Sequence, residues 1–192
     1  IEQSELEIFA KIAESQSFME TELEVEFFSS DSEDEKLRQA REIRELDDKY
    51  QMLKADLKSE INQGLAQIEK VGDQIMISLS AANSFRSGFA ELQPGFLGTL
   101  RNVGDSVVAA GGEVQISGHT DNIPIAFSQR FDSNWDLSAA RAASVADFFF
   151  TNNNLDSNSV SVFGYADTKP LADNANAQGR AANRRIEILI DG

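Results

Sequence analysis

Between positions 43 and 71, apolar residues return at intervals of three and four: Ile43, Leu46, Tyr50, Leu53 and Leu57, then Ile61, Leu65, Ile68 and Val71. That spacing keeps them on one side of a helix with 3.6 residues per turn, and the heptad-like seam predicts one long helix over about 33–70. Ser32 and Glu35 stand three apart with acids around them, the spacing of a capping box at a helix start. Such a helix would extend about 55 Å at 1.5 Å per residue. Its seam needs cover, either from a second copy of itself or from the domain behind it. A shorter helix is expected over about 4–20, where Ser4 and Glu7 repeat the capping spacing and Ile8, Phe9, Ile12 and Ala13 form an apolar strip. Between the two, Glu22 to Phe28 alternates acidic and apolar residues, as an edge strand or a charged linker would. Residues 1–71 therefore read as an acidic linker and helical lead-in.

The period changes after Gly72-Asp73. Ile75, Ile77 and Leu79 alternate as a strand, and a helix opened by Pro94-Gly95 carries Leu97, Leu100, Val103 and Val107 on one side until Gly111-Gly112 ends it. Val114, Ile116 and Gly118 form a second strand, Asn134 to Thr151 a long helix, Val160 to Phe163 a third strand and Ile186, Ile188 and Ile190 a fourth. Strands interleaved with helices predict an α/β fold of the α+β sandwich type for residues 72–192, with helices covering one face of the sheet.

Charge narrows the function. The net charge is −15, with −11 in residues 1–35, +1 in 36–70 and −5 in 71–192. Phosphate backbones and anionic lipid surfaces repel such a chain, so no nucleic-acid partner is expected. The absence of cysteine removes disulfides, thiolate chemistry and most zinc sites, and a single histidine, His119, leaves no metal or cofactor to expect. No apolar run approaches the roughly 20 residues of a membrane helix. The chain opens on Ile1 without a signal-peptide pattern, and the expectation is a fragment whose targeting segment lies upstream.

Candidate chemistry gathers around Gly118-His119-Thr120-Asp121 and the helix beginning at Asn134. Leu137, Val145 and Phe148 set the core-facing stripe of that helix, and Arg141, four residues after Leu137, lies on it. A guanidinium turned towards a sheet needs a partner to offset its desolvation. Asp121, just past a strand end, is the natural one. Either the two form a structural ion pair, or they clasp a ligand bearing both an amine and a carboxylate, with arginine gripping the carboxylate in bidentate fashion. Backbone N–H groups around Asn83, Ser84 and Phe85 would add donors.

The remaining polar and aromatic residues yield weaker readings. No strained, glycine-flanked serine supports a triad around His119, which reads as packed or hydrogen-bonded. Asp121 with Asp132 or Asp136 resembles a glycosidase pair in residue type alone. Asn134 reads first as a helix N-cap, Trp135 as packing, and Phe148-Phe149-Phe150 as core plus one exposed ring. Arg184 and Arg185 alternate sides of the last strand, which sends one, preferentially Arg184, to the ligand rim and the other to solvent. The polar loops lack the regular carboxylate spacing of a calcium site.

These residues carry a family resemblance. Residues from about 73 to 191 resemble the OmpA-like peptidoglycan-binding domain through four motifs in order. They are Gly118-His119-Thr120-Asp121, then Leu137-Ser138 with Arg141-Ala142 and Val145, then Gly164-Tyr165 with Pro170, and finally Gly179-Arg180 with Asn183-Arg184-Arg185-Ile186-Glu187. The resemblance implies a mixed four-stranded sheet covered by helices, no catalysis, and a site in which Asp121 and Arg141 clasp the diaminopimelate of the peptide stem. Thr120, Asn134, Leu137, Phe85 and Arg184 are the further binding residues expected. Asp121-Asn122-Ile123-Pro124-Ile125 and the loop to Ser133-Asn134-Trp135-Asp136-Leu137-Ser138 are similar to the B subunit of the flagellar stator, the MotB and PomB group, and most of all to its sodium-driven PomB branch. That likeness implies the periplasmic domain of a single-pass inner-membrane protein that anchors the motor to the cell wall. It would act as a homodimer, meeting the stator A subunit through a membrane segment outside this chain and, at the motor, periplasmic ring proteins. The alternatives are an adaptor of the same fold that binds a protein partner, and a cell-wall glycosidase.

Overall fold

A computed structural model describes residues 32–125 and 130–191. The helix expected over 4–20 and the alternating stretch at 22–28 lie outside the described residues. The chain divides into two units, Ile1–Arg44 and Glu45–Gly192. In the first, residues 32–44 are helical, with Arg38 bridging back to Glu35 at 2.9 Å.

The second unit begins with α1 (residues 45–56) and a single turn, α2 (Lys58–Asn62). The helix expected to reach residue 70 stops there. Gly64 takes a positive φ of 69°, and Ala66–Val71 becomes strand β1, paired antiparallel with β2 (Gln74–Ser80) across the turn at Gly72. Ala66 and Ile68 meet the core by alternation, a period that the three-residue steps from Leu65 to Val71 concealed. The sheet accordingly has five strands, not four. Its order is β1-β2-β5-β3-β4, with β3 (Val114–Gly118), β4 (Val160–Gly164) and β5 (Arg185–Asp191). The β3–β4 pair is parallel and all others are antiparallel, which makes the sheet mixed.

Ile75, Ile77 and Leu79 of β2, Ile116 of β3, and Ile186, Ile188 and Ile190 of β5 are fully buried. Over this face lie α4 (Leu97–Ala110), contributing Leu100, Val103 and Val107, and α5 (Asn134–Asn152), contributing Ala142, Val145 and Phe149. On α5 it is Phe149 that is fully buried, while Phe148 and Phe150 are half-buried at the core's edge. Leu53 and Leu57 are fully buried in the same core, with Leu46 and Tyr50 beside them. Covering each of these leucines contributes about 1.5–3 kcal/mol. The seam from Leu46 to Leu57 is thus covered by the sheet domain itself, and for this reason the second unit begins at Glu45 and not at residue 72.

Two short helices complete the unit, α3 (Ala81–Ser84) after β2 and α6 (Ala177–Asn183) before β5. Among the described residues, no helix is long and apolar enough to cross a membrane.

Candidate functional site

Two close approaches set the geometry. A Cβ on Gly118, at the end of β3, would lie 2.0 Å from the carbonyl oxygen of Ser138, and one on Gly164, at the end of β4, 2.6 Å from the amide nitrogen of Ala139. Bare backbone at both strand ends lets the first turns of α5 rest directly on the sheet. Ser138 completes the joint, its hydroxyl accepting from the Ala166 amide at 3.1 Å and donating to the Trp135 carbonyl at 3.0 Å. Arg141 follows one turn later and Asp121 three residues past Gly118. Both face one cavity of about 640 Å3.

All seven residues expected from the sequence line that cavity: Phe85, Thr120, Asp121, Asn134, Leu137, Arg141 and Arg184. Their pairing differs from expectation. Asp121 is bound not to Arg141 but to Arg184, whose Nη1 donates to Oδ2 at 2.5 Å, while Oδ1 accepts from the Ile123 amide at 3.0 Å. Arg184 caps the end of α6 and enters β5 beside the β3 terminus, which brings its guanidinium to the carboxylate.

Arg141 is 4 % exposed and makes no ion pair among the described residues. Its Nε donates to the Phe89 carbonyl at 2.8 Å, Nη2 makes a long 3.4 Å bond to the Arg86 carbonyl, and its Cζ lies 5.1 Å from the centre of the Phe85 ring. Burial first, and then the nearby Arg184, lower its pKa to about 10, with Asp121 pulling the other way. This guanidinium is oriented by two carbonyls and a ring and has no carboxylate in direct contact, an arrangement chemically suited to accepting one.

Several other expectations are corrected. Ser133, not Asn134, caps α5 by accepting from the Asp136 amide at 3.2 Å. Asn134 instead ties the rim together, donating to the carbonyls of Asp121 (3.3 Å) and Ile123 (3.0 Å). The Phe85 amide donates to the Ala81 carbonyl at 2.9 Å and is spent within the fold. Trp135 is 52 % exposed and does not pack in the core. Arg185 does not reach solvent. It is buried, bonded to Glu187 at 2.7 Å and to the carbonyls of Asn183 and Lys169.

Behind the site, His119 packs as expected, with Nε2 3.1 Å from Glu187 and the ring stacked on Tyr165 at 5.4 Å. Burial pushes the Glu187 pKa up, but the hydrogen bond from His119 and the charge and hydrogen bond of Arg185 outweigh it and hold the carboxyl at about 2. The carbonyls of Arg86 and Phe89 went unread in the sequence, because backbone acceptors leave no residue signature. Only Gly88, turning the loop with a φ of 75°, hints that the chain doubles back there. No group of three or more potential metal ligands occurs among the described residues.

The domain is thus a mixed sheet with helices on one face and a charged cavity at its strand ends. Residues 84–184, just over half of the chain, match the OmpA family, and the chain belongs to that family. It is similar to Motility protein B of Bacillus subtilis (strain 168), at 34 % identity over 125 residues, covering 65 % of this chain and 48 % of the relative. Among solved structures, it is similar to the cell wall anchor of the T6SS from Pseudomonas aeruginosa, with a TM-score of 0.69 and 35 % identity over 73 % of this chain and 96 % of that one. A putative MotB-like protein from Desulfovibrio vulgaris shares the fold, with a TM-score of 0.75 at 23 % identity over 80 % and 98 % of the two chains. The chain spans about half the length of the motility proteins it matches.

Proposed function

We propose that this chain is a non-catalytic peptidoglycan-binding domain that anchors a flagellar stator to the cell wall. The observation that carries the reading is Arg141, buried in an open cavity without a carboxylate partner and close enough to Asp121 to feel its charge. A diaminopimelate side chain ends in an amine and a carboxylate. The carboxylate suits Arg141 and the ammonium suits Asp121. Similarity to a motility protein and to a cell wall anchor supports the same reading. In it, the domain lies in the periplasm as part of a single-pass inner-membrane subunit, works as a homodimer that meets the stator A subunit through the membrane segment, and meets periplasmic ring proteins at the motor. The sodium-driven assignment belongs to this proposal through the likeness of residues 121–138 to the PomB branch.

Co-sedimentation with purified sacculi tests it. The wild-type protein should pellet with the wall, and Asp121→Ala and Arg141→Ala should stay in the supernatant while keeping their melting transitions. A chain that ignores sacculi but captures a motor protein would be an adaptor. Release of soluble muropeptides would make it an enzyme.

A further inference from the structure

Among the described residues, three ionised side chains line the cavity, Asp121, Arg141 and Arg184. Two cations against one anion give a site of charge +1 within a chain of charge −15. The single carboxylate is already engaged on both oxygens, by Arg184 and by the Ile123 amide. A ligand end bearing one amine and one carboxylate adds no net charge. Its carboxylate answers Arg141, but its ammonium must share Asp121 with Arg184, and Arg184 is left short of a partner. The Arg184 side chain is 35 % exposed, at the mouth of the cavity, whereas Arg141 lies at its floor. The two cations already feel each other, since Arg184 helps to lower the pKa of Arg141.

Resting on the peptidoglycan-binding reading above, we infer that the ligand brings a second carboxylate, outside its amine-bearing end, and that Arg184 turns from Asp121 to hold it. The substrate class is then the anionic stem peptide and not a zwitterionic side chain alone. Arg141 grips one carboxylate at depth, Asp121 takes the ammonium, and Arg184 reads the peptide backbone's negative charge at the rim. A stem whose backbone carboxylates are amidated lacks that charge and is discriminated against. Two charge-assisted contacts at separated points also fix the direction in which the peptide enters.

Titration calorimetry on the whole chain tests this with two probes. One is N-acetylated alanyl-glutamyl-diaminopimelate with all carboxylates free. The other is the same tripeptide with the carboxylates outside the amine-bearing end amidated. Wild-type protein should bind the free acid about tenfold more tightly, the effect of about 1.4 kcal/mol. Arg184→Gln should reduce that preference to within about twofold while still binding the amide. Equal affinity of the wild type for both probes overturns the inference, and so does a tenfold preference that survives in Arg184→Gln. The wild-type comparison stands whether or not the variant folds. Failure to bind either probe together with failure to sediment with sacculi overturns the binding function itself, an outcome distinct from equal binding.

Discussion

Gly118 and Ser138 touch through backbone, so that the end of β3 and the second turn of α5 cannot move independently. Each stands three residues before a charged residue of the cavity, Asp121 and Arg141. A methyl group on Gly118 would need to displace α5 or the strand, because the obstructing atom is a carbonyl oxygen and not a flexible side chain. Overpacking of this kind costs about 1–3 kcal/mol or more. Gly118→Ala should lower the unfolding free energy, read from urea denaturation, by an amount in that range and weaken sacculus binding at least severalfold. Unchanged stability with unchanged binding would show that the helix has room to shift.

Leu53→Ala removes a fully buried side chain from the layer that α1 adds to the core. Destabilisation by about 2–5 kcal/mol is expected from lost transfer energy and the cavity left behind. Chemical denaturation should show one cooperative transition at a lower midpoint. If α1 were only appended to the domain, the midpoint would not move.

Arg141→Lys keeps the charge but loses the planar fork. An ammonium cannot donate to the Phe89 carbonyl and still present two parallel donors to a carboxylate. Sacculus binding should fall by about tenfold or more with the fold intact, as read by sedimentation alongside circular dichroism. Full binding by the lysine variant would indicate a ligand that needs only a point charge.

Glu187 gives stability a defined pH dependence. Its folded pKa, about 2, lies below the ordinary 4.5, because the partners His119 and Arg185 outweigh the effect of burial. The folded state therefore binds fewer protons than the unfolded one between these values. The stabilisation is fully present above about pH 4.5 and is lost as pH falls towards 2. Thermal melts across that window should show the wild type losing stability more steeply than Glu187→Gln. Parallel curves would mean that the carboxylate does not titrate differently on folding.

Much of this architecture was legible in the residues. Alternation at Ile75–Leu79, Val114–Gly118 and Ile186–Ile190 is borne out as strands β2, β3 and β5, because a strand buried on one face must repeat every second residue. The strand at Ala66–Val71 was not legible, since Leu65, Ile68 and Val71 also satisfy a helical step and only the glycines at 64 and 72 mark the change. The membership of the cavity was readable, but the pairing within it was not. Arg184 reaches Asp121 across 63 positions of chain, a proximity created by the β3–β5 register and invisible to spacing along the sequence. Ser133 took the cap from Asn134 for a local reason: its hydroxyl lies opposite the Asp136 amide, which frees the neighbouring amide side chain to bond the rim.

The cavity's walls come from four stretches that meet only in the finished tertiary structure: the loop at Phe85, the β3 exit at Asp121, the first turns of α5, and Arg184 between α6 and β5. A nascent or partly denatured chain consequently lacks the cavity, and a ligand seated in it would act as a rivet through four plates. Tension transmitted through a bound ligand would be shared among strand ends and helix turns rather than peeling away a single loop.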